Sequence, residues 1–188
     1  MLPAVPESGQ VSFPQASPEV GFKIRSMTTT TSNEEVRREV AQIAQAATSA
    51  QDLMARIAGV LHERMLKYNW VGFYMIERKP DQAPILVLGR FEGAMTPHTR
   101  IQLNQGICGA AASSGKTVVV DDVTQDTRYL ACSLETKSEI VVPVFVKGEV
   151  VGELDIDSHF PAAFKTEDRV LVEFCATLVG RYLEKHPA

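Results

Sequence analysis

Two alternating runs, Asn69-Trp70-Val71-Gly72-Phe73-Tyr74 and Glu153-Leu154-Asp155-Ile156-Asp157-Ser158, constrain this chain more than any other part of it. Alternation at period two gives a strand two distinct faces. In the first run Trp70, Gly72 and Tyr74 share one face, and Val71, Phe73 and Met75 the other. In the second, Glu153, Asp155 and Asp157 stand opposite Leu154 and Ile156. A strand that lines up acids must give them water or a cation, because like charges repel and drying them is costly. Asp is a poor strand former, so two in one strand want a reason. Rings and carboxyls together suit a small cationic ligand. Residue type alone leaves both rings open to a plain core role, and Glu153 reads best as solvated.

A chain of 188 residues suits one domain with a full core. Hydrophobic residues at 45% and charged residues at 22% place it among ordinary soluble globular proteins. A net charge of −4 argues against nucleic acid as a partner, since that calls for a basic patch. No apolar run is long enough to span a membrane. The first residues, rich in Pro and Ser, lack the basic-then-apolar order of a secretory signal. Residues 1–32 are expected to be a disordered arm, part of it translated ahead of a true start at Met27 if that methionine initiates. Residues 33–188 then form the domain, and the cytoplasm is the expected compartment. Three cysteines, Cys108, Cys132 and Cys175, are too few and odd in number for a disulfide scaffold. They read as thiols or redox groups.

Apolar spacing predicts helices over residues 34–48 and 50–66, with Ser32 or Asn33 capping the first. Strands follow over residues 70–77 and 84–91, with a turn at Lys79-Pro80-Asp81. Residues 93–104 read as loop or short strand. A small-residue helix begins at Gly106 and stops at Gly115. A short strand covers residues 117–120, and residues 121–137 form a long polar loop of the kind that tends to carry function. Residues 138–146 and 150–157 form a hairpin. A last helix runs from a Thr166 cap to residue 184, with Val170, Leu171, Phe174, Leu178 and Leu183 facing in. This order predicts an α+β domain: a central antiparallel sheet with the N- and C-terminal helices packed on one face.

The hairpin carries a geometric test. A plain two-residue turn at Lys147-Gly148 would place Glu139 opposite Ile156, on the wrong face. A three-residue loop, or a bulge near Pro143, would place it opposite Asp157. A pocket holding Glu139, Asp155 and Asp157 therefore requires one of those irregularities. Three carboxyls in one small cavity cannot all stay ionised without a partner, so one should be neutral and able to donate a hydrogen bond. Such a pocket suits an amino acid with an oxidised side chain, its ammonium on the ionised acids and its oxygen on the neutral one.

Cys108 sits at a helix start, where partial positive charge favours a thiolate, and Cys132 sits in the long loop. An inert buried thiol remains the plain alternative for each. Cys175, on the last helix, reads as core. Together Cys108 and Cys132 allow a cycle: one thiolate attacks a sulfoxide, becomes a sulfenic acid, and condenses with the other thiol.

Asn69-Trp70-Val71-Gly72-Phe73-Tyr74, Leu88-Gly89, Phe91-Glu92-Gly93, Gly106-Ile107-Cys108-Gly109, Ser138-Glu139-Ile140-Val141-Val142-Pro143 and Leu154-Asp155-Ile156-Asp157-Ser158 resemble, in that order, the free methionine-(R)-sulfoxide reductase family, a branch of the GAF domains. The resemblance extends from about Glu34 to the end of the chain. It implies reduction of free L-methionine (R)-sulfoxide with no bound cofactor or metal and with thioredoxin as external reductant. By position, Trp70 and Tyr74 match the aromatic substrate wall, and Glu139, Asp155 and Asp157 the acids around substrate. Cys132 matches the attacking cysteine, Cys108 a neighbouring one, and Glu139 is the acid assigned a catalytic part. The family commonly has a further cysteine where this chain has His98, and Thr127-Arg128-Tyr129-Leu130 looks more like sensory GAF domains. The expected partners are methionine sulfoxide or a similar amino acid, thioredoxin, and a second copy of the chain. A non-catalytic GAF sensor that binds a small ligand and signals by dimerisation is the alternative reading.

Overall fold

The computed structural model describes residues 32–131 and 133–187. The expected arm, residues 1–31, and Cys132 lie outside the described residues. Ser32, one of the two caps expected from sequence and the last residue of the expected arm, is the cap of the first helix. Its hydroxyl accepts from the Glu35 N–H at 3.3 Å while the Glu35 carboxylate accepts from the Ser32 N–H at 2.9 Å. This reciprocal pair satisfies two otherwise orphaned donors.

Among the described residues, four α-helices and six strands follow in the order α1 (Asn33–Ala46), α2 (Ala50–Arg64), β1 (Trp70–Glu77), β2 (Ile85–Glu92), β3 (Arg100–Gln102), α3 (Gly106–Ser114), β4 (Val118–Val120), β5 (Ser138–Val146), β6 (Glu149–Ser158) and α4 (Thr166–Lys185). The strands make one antiparallel sheet in the order β3-β2-β1-β6-β5-β4. The two marked runs, on β1 and β6, are neighbours at its centre.

The sheet has an apolar core on each side. On one, α2 and α4 cover Val71, Phe73, Ile140, Val142, Leu154 and Ile156, and α1 packs on both helices. On the other, α3 covers Trp70, Tyr74, Leu86, Ile101, Val120 and Val141. The alternation in β1 and β6 thus sorts side chains as the sequence requires, but the second face is roofed as well. The face of α4 differs from expectation. Leu171, Val172, Cys175, Ala176 and Val179 point inward, Phe174, Leu178 and Leu183 are only partly covered, and Val170 is exposed. Gly180 lets the helix approach: a Cβ there would lie 2.2 Å from the Phe145 carbonyl oxygen. The cap is also one residue earlier than expected, at Lys165, whose N–H donates to Asp168 at 2.8 Å.

The hairpin resolves the register test in favour of the bulge. Val146 faces Glu149 across a two-residue turn, and Lys147 and Gly148 take φ values of 50° and 84°. Positive φ at both central residues gives the turn a twist that matches its strands. Phe145 then pairs with Val150 but Val144 with Gly152, so Val151 is the extra residue. This one-residue shift brings Glu139 opposite Asp157. Pro143 lies beyond the last β4 pair, Val118 with Val141, so its missing donor breaks no ladder bond there.

Candidate functional site

The site is built in rows across β1, β6 and β5. Trp70, Asp157 and Glu139 form one row; Gly72, Asp155 and Val141 the next; Tyr74, Glu153 and Pro143 the third. The acids therefore run along the central strand, with the aromatic wall on one flank and Glu139 on the other. Gly72 is not an open gap between the rings. The Trp70 indole folds over it, and a Cβ on Gly72 would fall 2.1 Å from the ring. Phe91 stacks on Trp70 at 5.7 Å between centroids, and Tyr74 lies 6.2 Å away. Hydrogen bonds hold both polar tips: Trp70 Nε1 donates to the Ala94 carbonyl at 2.9 Å, and the Tyr74 hydroxyl to the His98 carbonyl at 2.8 Å. His98 thus supports the wall through its main chain.

Every acid of this face is buried, including Glu153. That corrects the expectation of a solvated Glu153. Burial pushes its pKa well up, the nearby Asp155 raises it further, and the Cys108 thiol opposes the rise as the smallest of the three influences. Among the described residues, neither Glu153 oxygen has a hydrogen-bond partner of good geometry. Burial also raises Glu139 well above the usual carboxylate range, with Asp155, Asp157 and Glu153 adding to it. Asp157 rises for the same reasons, burial first and then Asp155, while Thr136 moderates it. Burial lifts Asp155 to about 7, against the lowering influence of Cys108. Neutral carboxyls are the physical outcome of drying four acids side by side.

Cys108, on the first turn of α3, is 4% exposed and packs in the same cluster as both rings. Its thiol lies 3.4 Å from Asp155 Oδ2 and 3.9 Å from Glu139 Oε1. The helix-start argument placed partial positive charge near this sulfur; the tertiary neighbours are acids. Gly109 lets α3 sit low, since a Cβ there would be 2.6 Å from the Gln102 carbonyl oxygen. Cys175 is fully buried among the helices, and burial pushes its thiol up to about 12, as suits an inert core residue.

The long loop covers this face. Val123 N–H bonds the Lys137 carbonyl at 2.9 Å, Leu130 packs on Gly106, and the Tyr129 hydroxyl reaches the Ser133 carbonyl at 3.1 Å. Arg128 is clamped by Asp126 through Nε at 2.9 Å and Nη2 at 2.6 Å. A cavity of about 350 Å³ opens at the end of the row, where Trp70 and Asp157 meet Met95, Thr96, Ser133 and Thr136. The sequence-predicted residues Trp70, Tyr74, Glu139, Asp155, Asp157 and Cys108 thus share one buried face. Glu153, Phe91 and Thr136 join them without having been singled out. The signal for Glu153 was present in the alternation, but solvation was the better reading of it.

The GAF domain model matches residues 49–183. A free methionine-R-sulfoxide reductase of Escherichia coli is 37% identical over 121 residues, 64% of this chain and 70% of that relative. Among solved structures, the Neisseria meningitidis free methionine-R-sulfoxide reductase in complex with its substrate superposes with a TM-score of 0.75 at 36% identity, covering 81% of this chain and 88% of that one. The chain belongs to the free methionine-(R)-sulfoxide reductase family of GAF domains. A type II reductase of this kind from Thermoplasma acidophilum gives a TM-score of 0.67 at 37% identity, over 76% of this chain and 96% of that structure. Among the described residues, no helix is long and apolar enough to cross a membrane.

Proposed function

We propose that this member of the family reduces free L-methionine (R)-sulfoxide to methionine. The observation that carries the reading is the buried row of four carboxyls beside Trp70 and Tyr74, with a thiol 3.4 Å from Asp155. An ammonium group supplies the counter-charge that this dry cluster lacks, and the rings cover the apolar stem. Glu139, held neutral, gives a proton to the sulfoxide oxygen.

The Cys132 thiolate attacks the sulfoxide sulfur, and the protonated oxygen ends on the cysteine. Methionine leaves and Cys132 becomes a sulfenic acid. Cys108 then condenses with it, releasing water and forming an intramolecular disulfide. Thioredoxin, itself oxidised to its disulfide, returns both thiols. In the sensor reading, supported by His98 in place of a family cysteine, the same pocket binds the amino acid and no turnover follows.

A thioredoxin-coupled assay with each epimer separates the two. NADPH consumption with the R epimer of free methionine sulfoxide, lost in Cys132→Ser, is the expected result. Full activity in that variant removes Cys132 from the mechanism; saturable binding without turnover in the parent protein identifies a sensor.

A further inference from the structure

The sulfoxide step uses neither of two sets of buried oxygens at the floor of the site. Among the described residues, both oxygens of Glu153 and Oδ1 of Asp155 lack a hydrogen-bond partner, although both residues are essentially unexposed. A dry acid with no donor is costly, and native structures tolerate it where an ion or ligand completes the group. Glu153 and Asp155 lie on the same face of β6, one row apart. Immediately beside them, one donor atom each from Cys108, Glu139 and Asp155 lies within 4.8 Å of the others.

From this arrangement we propose a zinc site: Cys108, Glu139 and Asp155 bind one Zn²⁺, with the buried Glu153 as a neighbouring acid on the same strand face. The spacing is that of a tetrahedral centre. Bonds of ~2.3 Å to sulfur and ~2.1 Å to oxygen set the sulfur–oxygen edge at ~3.6 Å and the oxygen–oxygen edge at ~3.4 Å. The two observed sulfur–oxygen distances, 3.4 and 3.9 Å, bracket the first of these. A thiol among carboxyls selects zinc or a similarly thiophilic ion over calcium or magnesium, which take oxygen ligands. On binding, the thiol and any protonated carboxyl among the ligands release their protons to solvent, so three anionic ligands meet the dication. The cavity bounded by Trp70, Thr136 and Asp157 lies one row from Asp155 along β6. Because the ligands include the acids assigned to the ammonium, zinc and methionine sulfoxide exclude one another. Only that exclusion rests on the reductase reading; the binding itself does not.

The test uses the full chain, stripped of metal and kept reduced. ZnCl₂ alone is titrated by calorimetry, and CoCl₂ serves as a probe whose thiolate charge-transfer band reports a metal–sulfur bond. One ion per chain is expected, with a cobalt band. Both are lost in Cys108→Ser and in Asp155→Asn, and both are retained in Cys132→Ser and Cys175→Ser. Circular dichroism and melting show which variants remain folded, and Cys108→Ala replaces any serine variant that does not. Absence of stoichiometric binding, binding that survives loss of Cys108, or a cobalt band abolished by Cys132→Ser overturns the site. Zinc bound by a protein inactive on methionine sulfoxide supports the site and sinks the reductase reading. Turnover by a protein that takes no zinc does the reverse.

Discussion

Glu153 shows what happens to one carboxyl when a sheet face that reads as wet is roofed over. Its position on β6 follows from simple alternation, but the packing of α3 over this face removes its water. Its pKa is raised in the folded chain, so the folded state holds a proton that the unfolded state gives up above about pH 4.3. Glu153→Gln keeps the shape and removes the titration. The variant is expected to be more stable than the parent at pH 8, by more than ~1 kcal/mol or ~2–4 °C in melting temperature. Near pH 4.5 the two should melt together in the absence of metal. A parent and variant that differ equally at both pH values would show that folding does not raise the Glu153 pKa. The sequence made the row of acids legible, because i, i+2 spacing needs no tertiary information. It left their burial undecided, since the same spacing describes a solvated outer face.

At the scale of elements, the β5–β6 hairpin positions the site. Its two-residue turn alone would have put Glu139 over the helical core, and the extra residue Val151 corrects this. The turn relies on Gly148 at a φ of 84°, where a side chain is strained although space is open around it. Gly148→Ala is expected to cost about 1 kcal/mol, or ~2–4 °C in chemical or thermal melts, through backbone strain alone. Unchanged stability would mean that the turn has another conformation. Sequence marked the choice between a longer loop and a bulge but could not make it, because both restore the same register. The inward face of α4 was likewise read nearly one position off. Its apolar residues cover more than one stripe, and only packing against β5 and β6 selects among them.

For the whole molecule, the acid row couples stability to pH. Glu139, Glu153, Asp155 and Asp157 all have raised pKa values when folded. Each contributes no penalty below its unfolded pKa near 4, and a growing penalty as pH rises toward its folded value; for Asp155 that interval ends at about 7. The metal-free, ligand-free protein is therefore expected to melt higher at pH 5 than at pH 8. Surface acids with lowered pKa, such as Glu77 beside Arg100 and Asp126 beside Arg128, act in the opposite direction but lose their contribution only below pH 4. An amino-acid ligand bearing an ammonium should shrink the difference. A melting temperature that rises from pH 5 to pH 8 would contradict the burial of these acids as the governing charge effect.

Sequence by itself determined the α+β order, the two-faced central strands, the sharing of one strand face by Trp70 and Tyr74 and of another by Asp155 and Asp157, and the need for a register shift if Glu139 is to join the acids. These follow from local periodicity and backbone stereochemistry, which nearest neighbours in the chain already express. Tertiary structure alone decided that the polar face is dry, that the Trp70 indole closes over Gly72, that Cys108 meets acids, and that Val151 supplies the shift. Each of those depends on what α3, the covering loop and the neighbouring strands exclude or bring near, and such distances are not written in the spacing of residues along one strand.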